Sequence, residues 1–272
     1  MEKINLSIII VHHKSQDITF DCIKSIKELV SGISYEVIIV DNSHGAEYRI
    51  QNTDISKMLS PSTFYLLPST NKGFGAGNNL GAKKANGEYL LLLNPDTIVF
   101  DDSIEKMLSF IKKHDEIGAL TCLLGPDKKT LQKNFFGKFQ SLFSVTFRHY
   151  NYQKIDPPAG GRKDFFYTDI VTGAALMIKK DIFEKLGGFD ERFFMYLEDD
   201  DLCKRLVDAG YKNAVLNTAK IIHLEGKSIS KNKERKKIYY QSQNLYWQKH
   251  NGFLPTLLMR MIRFPYKLIR TG

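Results

Sequence analysis

Three near-continuous apolar runs, Leu6 to Val11, Tyr35 to Val40 and Tyr89 to Leu93, constrain this chain more than any other feature. A strand apolar at almost every position has both faces covered, which is the pattern of a parallel sheet between layers of helices. Segments with helical spacing lie between the runs. Ile18, Cys22, Ile26 and Leu29 follow the first, and a glycine-rich loop leading to a helix near Ala76 to Ala85 follows a further short strand, Phe64 to Leu67. A helix near Ser103 to Lys113 and a strand near Ala119 to Leu123 complete a βαβ series. The expected class is therefore α/β, with a mostly parallel central sheet flanked by helices.

In such sheets ligands gather beyond the carboxyl ends of the strands. Those ends are polar here. The second run closes on Asp41, the glycine-rich loop follows the strand that ends at Leu67, and Tyr89 to Leu93 closes on Asn94-Pro95-Asp96. Pro95 cannot continue a central strand, so the chain must turn there and leave Asp96 at the sheet edge. A second acidic cluster, Glu198-Asp199-Asp200-Asp201, lies far along the chain at the start of a helical pattern ended by Gly210. Brought together, the two clusters supply one carboxylate to hold a divalent cation and another to accept a proton. Taken alone, acids at a helix start are ordinary partners of the helix dipole.

Between these parts, residues from about Asn134 to Asp164 carry Phe135, Phe136, Phe139, Phe143, Phe147, Tyr150 and Tyr152 with no clean period. They suit either a covering subdomain or a surface for stacking on sugar rings. Ile170 to Ile178 reads as one more strand, and Gly187-Gly188 as a break.

A content of 43% hydrophobic residues over 272 positions supports a substantial core. Cys22, Cys122 and Cys203 are odd in number and never paired as Cys-x-x-Cys, which argues against a disulfide framework or a zinc knuckle and fits a reducing, cytosolic setting. The apolar run at Leu6 is too short for a signal peptide or a membrane span. Net charge is +9, yet from Lys227 onward there are eleven Lys and Arg against the single acid Glu234, leaving 28 basic and 29 acidic residues before it. A neutral body with a basic tail points to an anionic partner for the tail. No nucleic-acid recognition motif accompanies the charge.

The ordered set Val40-Asp41-Asn42-Ser43, Asn71-Lys72-Gly73-Phe74-Gly75-Ala76-Gly77-Asn78, Leu93-Asn94-Pro95-Asp96, Gly187-Gly188-Phe189-Asp190-Glu191, Glu198 to Cys203 and His223 resembles the family 2 inverting glycosyltransferases of the GT-A fold. Within that family it looks most like bacterial rhamnosyltransferases, and the resemblance covers roughly residues 5 to 225. It implies a GT-A domain over 1–228, with a nucleotide-binding part to about 125 and an acceptor-binding part after it, followed by a basic helical segment over 229–272.

The resemblance also implies roles. Val11 and His12 would meet the base and ribose, and Asp41 with Asn42 the base. Asn71, Gly73, Phe74 and Asn78 would line the nucleotide sugar, glycines allowing close backbone approach and the following helix offering free N–H groups to the diphosphate. Asp96 and His223 would hold Mg²⁺ or Mn²⁺. The familiar pattern is Asp-x-Asp, whereas here its first position is Asn94, an amide without charge. The Asn-Pro-Asp form is common among rhamnosyltransferase-like members, so deoxythymidine-diphosphate (dTDP) L-rhamnose is the expected donor and a glycan or polyprenyl-linked glycan the expected acceptor. Asp199 would be the general base, Glu198 and Asp200 its nearest alternatives. Lys227 and Ser228 would reach the diphosphate, although a solvated Lys227 fits the sequence as well.

Alternatives stay open at this level. A UDP-sugar donor carrying galactofuranose, glucose or an N-acetylhexosamine fits the same motifs, as does a non-catalytic nucleotide- or glycan-binding module. A nucleotidyltransferase fits poorly, since His12-His13-Lys14-Ser15 replaces the glycine-rich loop it needs after the first strand. In the tail, a helical wheel from Leu254 gathers Leu254, Leu257, Leu258, Met261, Phe264, Pro265 and Leu268 on one side and Arg260, Arg263, Lys267 and Arg270 on the other. That apolar side either docks on the body or lies in the anionic inner leaflet of a membrane.

Overall fold

The computed structural model describes residues 3–43, 63–132, 135–146, 164–224 and 232–269, with the backbone alone described at 146, 232 and 264–269. β1 (Leu6–His12) is buried at every position and lies parallel to β2 (Tyr35–Asp41), with α1 (Gln16–Leu29) between them in sequence. β3 (Thr63–Leu66) extends this edge in parallel. α2 (Phe74–Lys84) crosses over β1 and β2 and delivers the chain to β4 (Tyr89–Leu93) on the other side of β1. α2 is short of apolar residues because its glycines do the packing. A Cβ at Gly77 would lie 2.8 Å from Val11 Cγ1 and one at Gly81 2.6 Å from Ile9 Cγ2, so the helix backbone rests directly on the sheet.

After the Asn-Pro-Asp turn come β5 (Thr97–Ile98), α3 (Ser103–Ile111) and β6 (Ile117–Gly125). Two short elements, β7 (Phe136–Gly137) and α4 (Leu142–Thr146), precede β8 (Phe165–Thr168). The single strand expected over 170–178 is two: β9 (Ile170–Val171) pairs with β7 in a small separate sheet, and β10 (Ala175–Lys179) enters the main one. Thr172 to Ala174 between them bends the chain from one sheet to the other. β10 is antiparallel to both β4 and β6, so it interrupts the parallel order that the alternating pattern implies.

α5 (Lys180–Lys185) and α6 (Glu198–Asp208) lead to β11 (Lys212–His223), a strand parallel to β6 and antiparallel to β5. The main sheet runs β3-β2-β1-β4-β10-β6-β11-β5, with β8 also paired to β11. The three cysteines are buried free thiols.

Two helices end the described chain, α7 (Asn232–Asn251) and α8 (Phe253–Ile269), divided by Gly252 at φ +82°. Tyr246 and Trp247 of α7 and Met259 of α8 close a second, smaller core with Phe193 and Leu197. The Trp247 indole donates to Gln140 Oε1 at 3.0 Å, satisfying its one polar atom.

Candidate active site

Strand register assembles the first part of the site. The antiparallel pairing of β5 with β11 sets His223 opposite Thr97, and Leu224 N–H donates to the Asp96 carbonyl at 2.9 Å. His223 Nε2 consequently lies 3.3 Å from Asp96 Oδ1 and 3.5 Å from Asn94 Nδ2. The other ring nitrogen, Nδ1, is 2.9 Å from Gln132 Oε1. An amide oxygen can only accept, so Nδ1 donates to Gln132 and Nε2 is the ring nitrogen turned toward Asp96. Gln132 had no signal in the sequence. It lies outside every motif and reaches His223 only because Gln132 N–H donates to Leu124 O at 2.8 Å, in the strand beside β11.

A carboxylate oxygen and a tautomerically fixed imidazole nitrogen, both largely buried, are a hard-cation pair with the outer-shell support that metal-ligating histidines carry. Among the described residues no three or more His, Cys, Asp or Glu are grouped so as to hold a metal ion, so a cation here would take its remaining ligands from substrate and water.

The second acidic cluster divides by direction. Tyr196 and Leu197, at φ +70° and +66°, form a left-handed turn that starts α6 and fans the four acids apart. Only Asp199 keeps partial exposure. Its Oδ2 accepts from Gly173 N–H at 2.9 Å and its Oδ1 from Asp200 N–H at 3.0 Å. Burial pushes its carboxyl above the usual range, with the Gly173 and Asp200 N–H groups opposing. Glu198 and Asp200 point inward, each with one buried oxygen lacking a hydrogen-bond partner among the described residues. Burial, then the charge of Asp199, pushes both well above the carboxylate range.

Asp201 turns to the C-terminal helices. It meets Lys249 Nζ at 2.7 Å, His250 Nε2 at 2.8 Å and Arg205 Nε at 2.9 Å. Burial opposes ionisation, but His250, Lys249 and Arg205 hold the carboxyl below its usual range. Lys249 also pairs with Asp190 at 2.8 Å.

The segment 172–174 joins the two halves. Ala174 O accepts from Asn94 N–H at 2.9 Å, one residue from the N–H that Asp199 holds.

The remaining expected residues are gathered at the ends of β1 and β2. Val11 and His12 are buried, and His12 contacts Thr19 Oγ1 at 2.9 Å and Asp41 at 3.8 Å. Asp41 is buried as well. It accepts from Ser43 N–H at 2.8 Å and from the Tyr65 hydroxyl, a partner the sequence did not indicate. Asn42 donates to Gly73 O at 3.1 Å, and Asn71 Oδ1 accepts from Gly73 N–H at 2.8 Å.

Gly73 has φ +102°, and a Cβ there would collide with the Phe194 carbonyl, so this glycine permits close approach of the segment before α6. Phe74 N–H, the first of α2, is likewise spent on Phe194 O at 3.1 Å. The Phe74 ring lies beside Gly173 and 6.1 Å from that of Phe189. Asn78 Nδ2 donates to Phe74 O at 3.1 Å, while its buried Oδ1 has no partner among the described residues. Asn79, absent from the expected set, brackets Phe189: its Oδ1 accepts from that residue's N–H at 2.8 Å and its Nδ2 donates to the carbonyl at 2.9 Å. Lys227 and Ser228 lie outside the described residues.

Residues 7–187 match the family described as glycosyl transferase family 2, and residues 162–227 match one described as the N-terminal domain of galactosyltransferase. The chain is 31% identical over 154 residues to rhamnosyltransferase WbbL of Escherichia coli K12, covering 52% of this chain and 56% of that protein. It is 26% identical over 213 residues to the low-salt glycan biosynthesis hexosyltransferase Agl10 of Haloferax volcanii, covering 74% and 61%. It is 24% identical over 160 residues to an N-acetylglucosaminyl-diphospho-decaprenol L-rhamnosyltransferase of Mycobacterium tuberculosis, covering 53% and 49%. The matches thus span about half to three fifths of these relatives. In structure, GalNAc-T7 with UDP, GalNAc and Mn²⁺ superposes with a TM-score of 0.70 at 14% identity, over 97% of this chain and 55% of that one, which establishes the shared fold.

Proposed function

The chain belongs to glycosyl transferase family 2, and from that premise we propose that it is an inverting glycosyltransferase acting on a hydroxyl of a glycan or lipid-linked glycan. L-rhamnose from dTDP-L-rhamnose is the proposed sugar, supported by Asn94 in the first position of the Asn-Pro-Asp turn and by rhamnosyltransferases among the relatives. The carrying observation is that Asp199 alone of four adjacent acids keeps partial exposure while being tied, through Gly173 and Ala174, to the turn that bears Asp96.

In this reading Asp199 accepts the proton of the acceptor hydroxyl. The acceptor oxygen bonds to the anomeric carbon as the bond to the diphosphate oxygen breaks on the opposite face, which inverts that carbon and releases the nucleoside diphosphate. The raised pKa of Asp199 makes it a stronger base than a solvated carboxylate, and its backbone hydrogen bonds favour the ionised form that must accept. Asp96 and His223 would hold a divalent cation, Mg²⁺ or Mn²⁺, which would supply charge neutralisation for the departing diphosphate. Val11, His12, Asp41 and Asn42 form the base and ribose end. Lys227 is assigned to the diphosphate. The proposed glycosyltransferase domain spans 1–228 and the basic helical segment 229–272, with the enzyme acting on the cytoplasmic side, peripheral to the membrane.

A thermal-shift panel of nucleoside diphosphates and nucleotide sugars, with and without each cation, tests the reading. Ligand at about a hundred times its Kd adds roughly 2.7 kcal/mol, a shift of a few degrees. A cation-dependent preference for thymidine supports rhamnose, a preference for uridine moves the donor to a UDP-sugar, and binding without turnover of any donor overturns the enzymatic reading.

A further inference from the structure

α8 docks on the body through the side that the helical wheel marks as less apolar. Thr256 and Met259 are buried, and Arg263 points inward, donating to Gln243 Oε1 at 2.7 Å and Asn244 Oδ1 at 2.8 Å and lying over the Tyr240 ring. The opposite side carries the apolar residues into solvent: Phe253 is 71% exposed, Leu254 74%, Leu257 44%, Leu258 46% and Met261 64%. Five large apolar side chains on one outward helical face far exceed the scattered exposure normal for a soluble surface. Packing does not account for them. Thr256, Met259 and Arg263, on the other side, make the buried contact with the body.

We infer that this outward face of α8 is a bilayer-docking surface for an anionic lipid leaflet, its leucines and Phe253 entering the headgroup–acyl boundary. This names the surface behind the peripheral location proposed above, but the binding itself does not depend on the catalytic reading. Charge selects the occupant. Arg260 is exposed at the rim of the apolar face, and α7, whose Tyr240, Gln243 and Asn244 pack against Arg263 of α8, exposes Lys233, Lys236 and Lys237 nearer its start. Those cations complement anionic headgroups. They disfavour a second copy of the chain, since each copy would bring the same excess from Lys227 onward, eleven cations against one acid. Among the described residues no helix is long and apolar enough to span, so the helix lies in the interface instead of crossing it.

Vesicle flotation of the full chain decides the matter, with phosphatidylcholine alone and mixed with phosphatidylglycerol. Expected is flotation on the mixed vesicles that weakens as salt is raised. Leu254→Glu with Leu258→Glu should weaken partition by about tenfold or more per leucine. Leu254 is largely solvated and Leu258 about half so, and the fold should survive, as an unchanged thermal midpoint would show; Met261→Glu, at a 64% exposed position, provides a second, independent variant. Transfer to a water-soluble acceptor separates this idea from the catalytic one, because the variants should retain it. Equal flotation of parent and variants overturns the inference. So does a parent that stays unbound on both vesicles, or a dimer in sedimentation that the same substitutions dissolve.

Discussion

Gly173 donates its backbone N–H to Asp199 Oδ2 at 2.9 Å, and the next carbonyl along, Ala174 O, accepts from Asn94 N–H at 2.9 Å. Two backbone groups in the bend between β9 and β10 therefore fix the proposed base relative to the turn that bears Asp96. Such a linkage is stiff because its one side-chain member, the Asp199 carboxylate, is held at both oxygens by backbone N–H groups.

From this placement, Asp199→Asn should lower kcat by about a hundredfold to ten-thousandfold, the range assigned to a positioned general base. The amide has the same shape but can accept from only one of the two N–H groups, Gly173 or Asp200, so an unchanged thermal midpoint is part of the test, and the nucleotide end is untouched. Calorimetric affinity for the nucleoside diphosphate should stay within about twofold of the parent. Parent-like turnover in the variant would remove Asp199 from the mechanism.

Gln132 holds the tautomer of His223, so Gln132→Leu should weaken cation affinity by about tenfold to a hundredfold, the usual effect of losing such a partner. Cation titration of the thermal midpoint, in the presence of nucleoside diphosphate, reads this directly. A mutant with parent-like cation dependence would show that the ring orientation is set by Asn94 and Asp96 instead.

Gly73→Ala forces a methyl against the Phe194 carbonyl at a backbone φ of +102°. Strain and collision together should cost more than about 2 kcal/mol, read as a lowered urea midpoint. Gly32, at φ +69° with nothing near its Cβ position, is the control and should cost about 1 kcal/mol or less when changed to Ala.

The ion pairs between α6 and α7 make stability fall with acid. Asp201 has a folded-state pKa held below its unfolded value, and Asp190 likewise, chiefly through Arg192 and then Lys249. Their contribution is complete above the ordinary carboxylate value of about 4 and is lost as pH drops through the depressed folded values. Glu198 and Asp200 run the other way. With folded pKa values raised, they favour the folded state at low pH and lose that contribution as pH rises through the raised values. Lys249→Ala should thus lower the thermal midpoint at neutral pH by several degrees and show a smaller deficit near pH 2. A deficit that is constant across pH would mean Lys249 acts by packing alone.

Much of this protein is legible without coordinates. The buried strands announce themselves because a residue covered on both faces has no reason to be polar, and the Asn-Pro-Asp turn is visible because Pro95 cannot continue a strand. α2, α3 and α6 begin and end within a few residues of their expected bounds for similarly local reasons. The pairing of Asp96 with His223 was reachable only through family resemblance, since nothing local connects a turn after β4 with the end of β11.

What the sequence determined alone was the set of elements and the chemical groups at their ends. Tertiary structure decided which groups face one another. It sent Asp199 toward the bend at Gly173 and Asp201 toward Lys249 and His250, although the two are near neighbours on one helix turn and chemically identical. It supplied Gln132 to His223, and it spent Gly73 on Phe194. It also chose which side of α8 meets the body. A helical wheel records that two faces differ, but it contains no information about which one finds a partner; that depends on the shape and polarity of α7 against it, where Gln243, Asn244 and Tyr240 suit Arg263 better than a row of leucines.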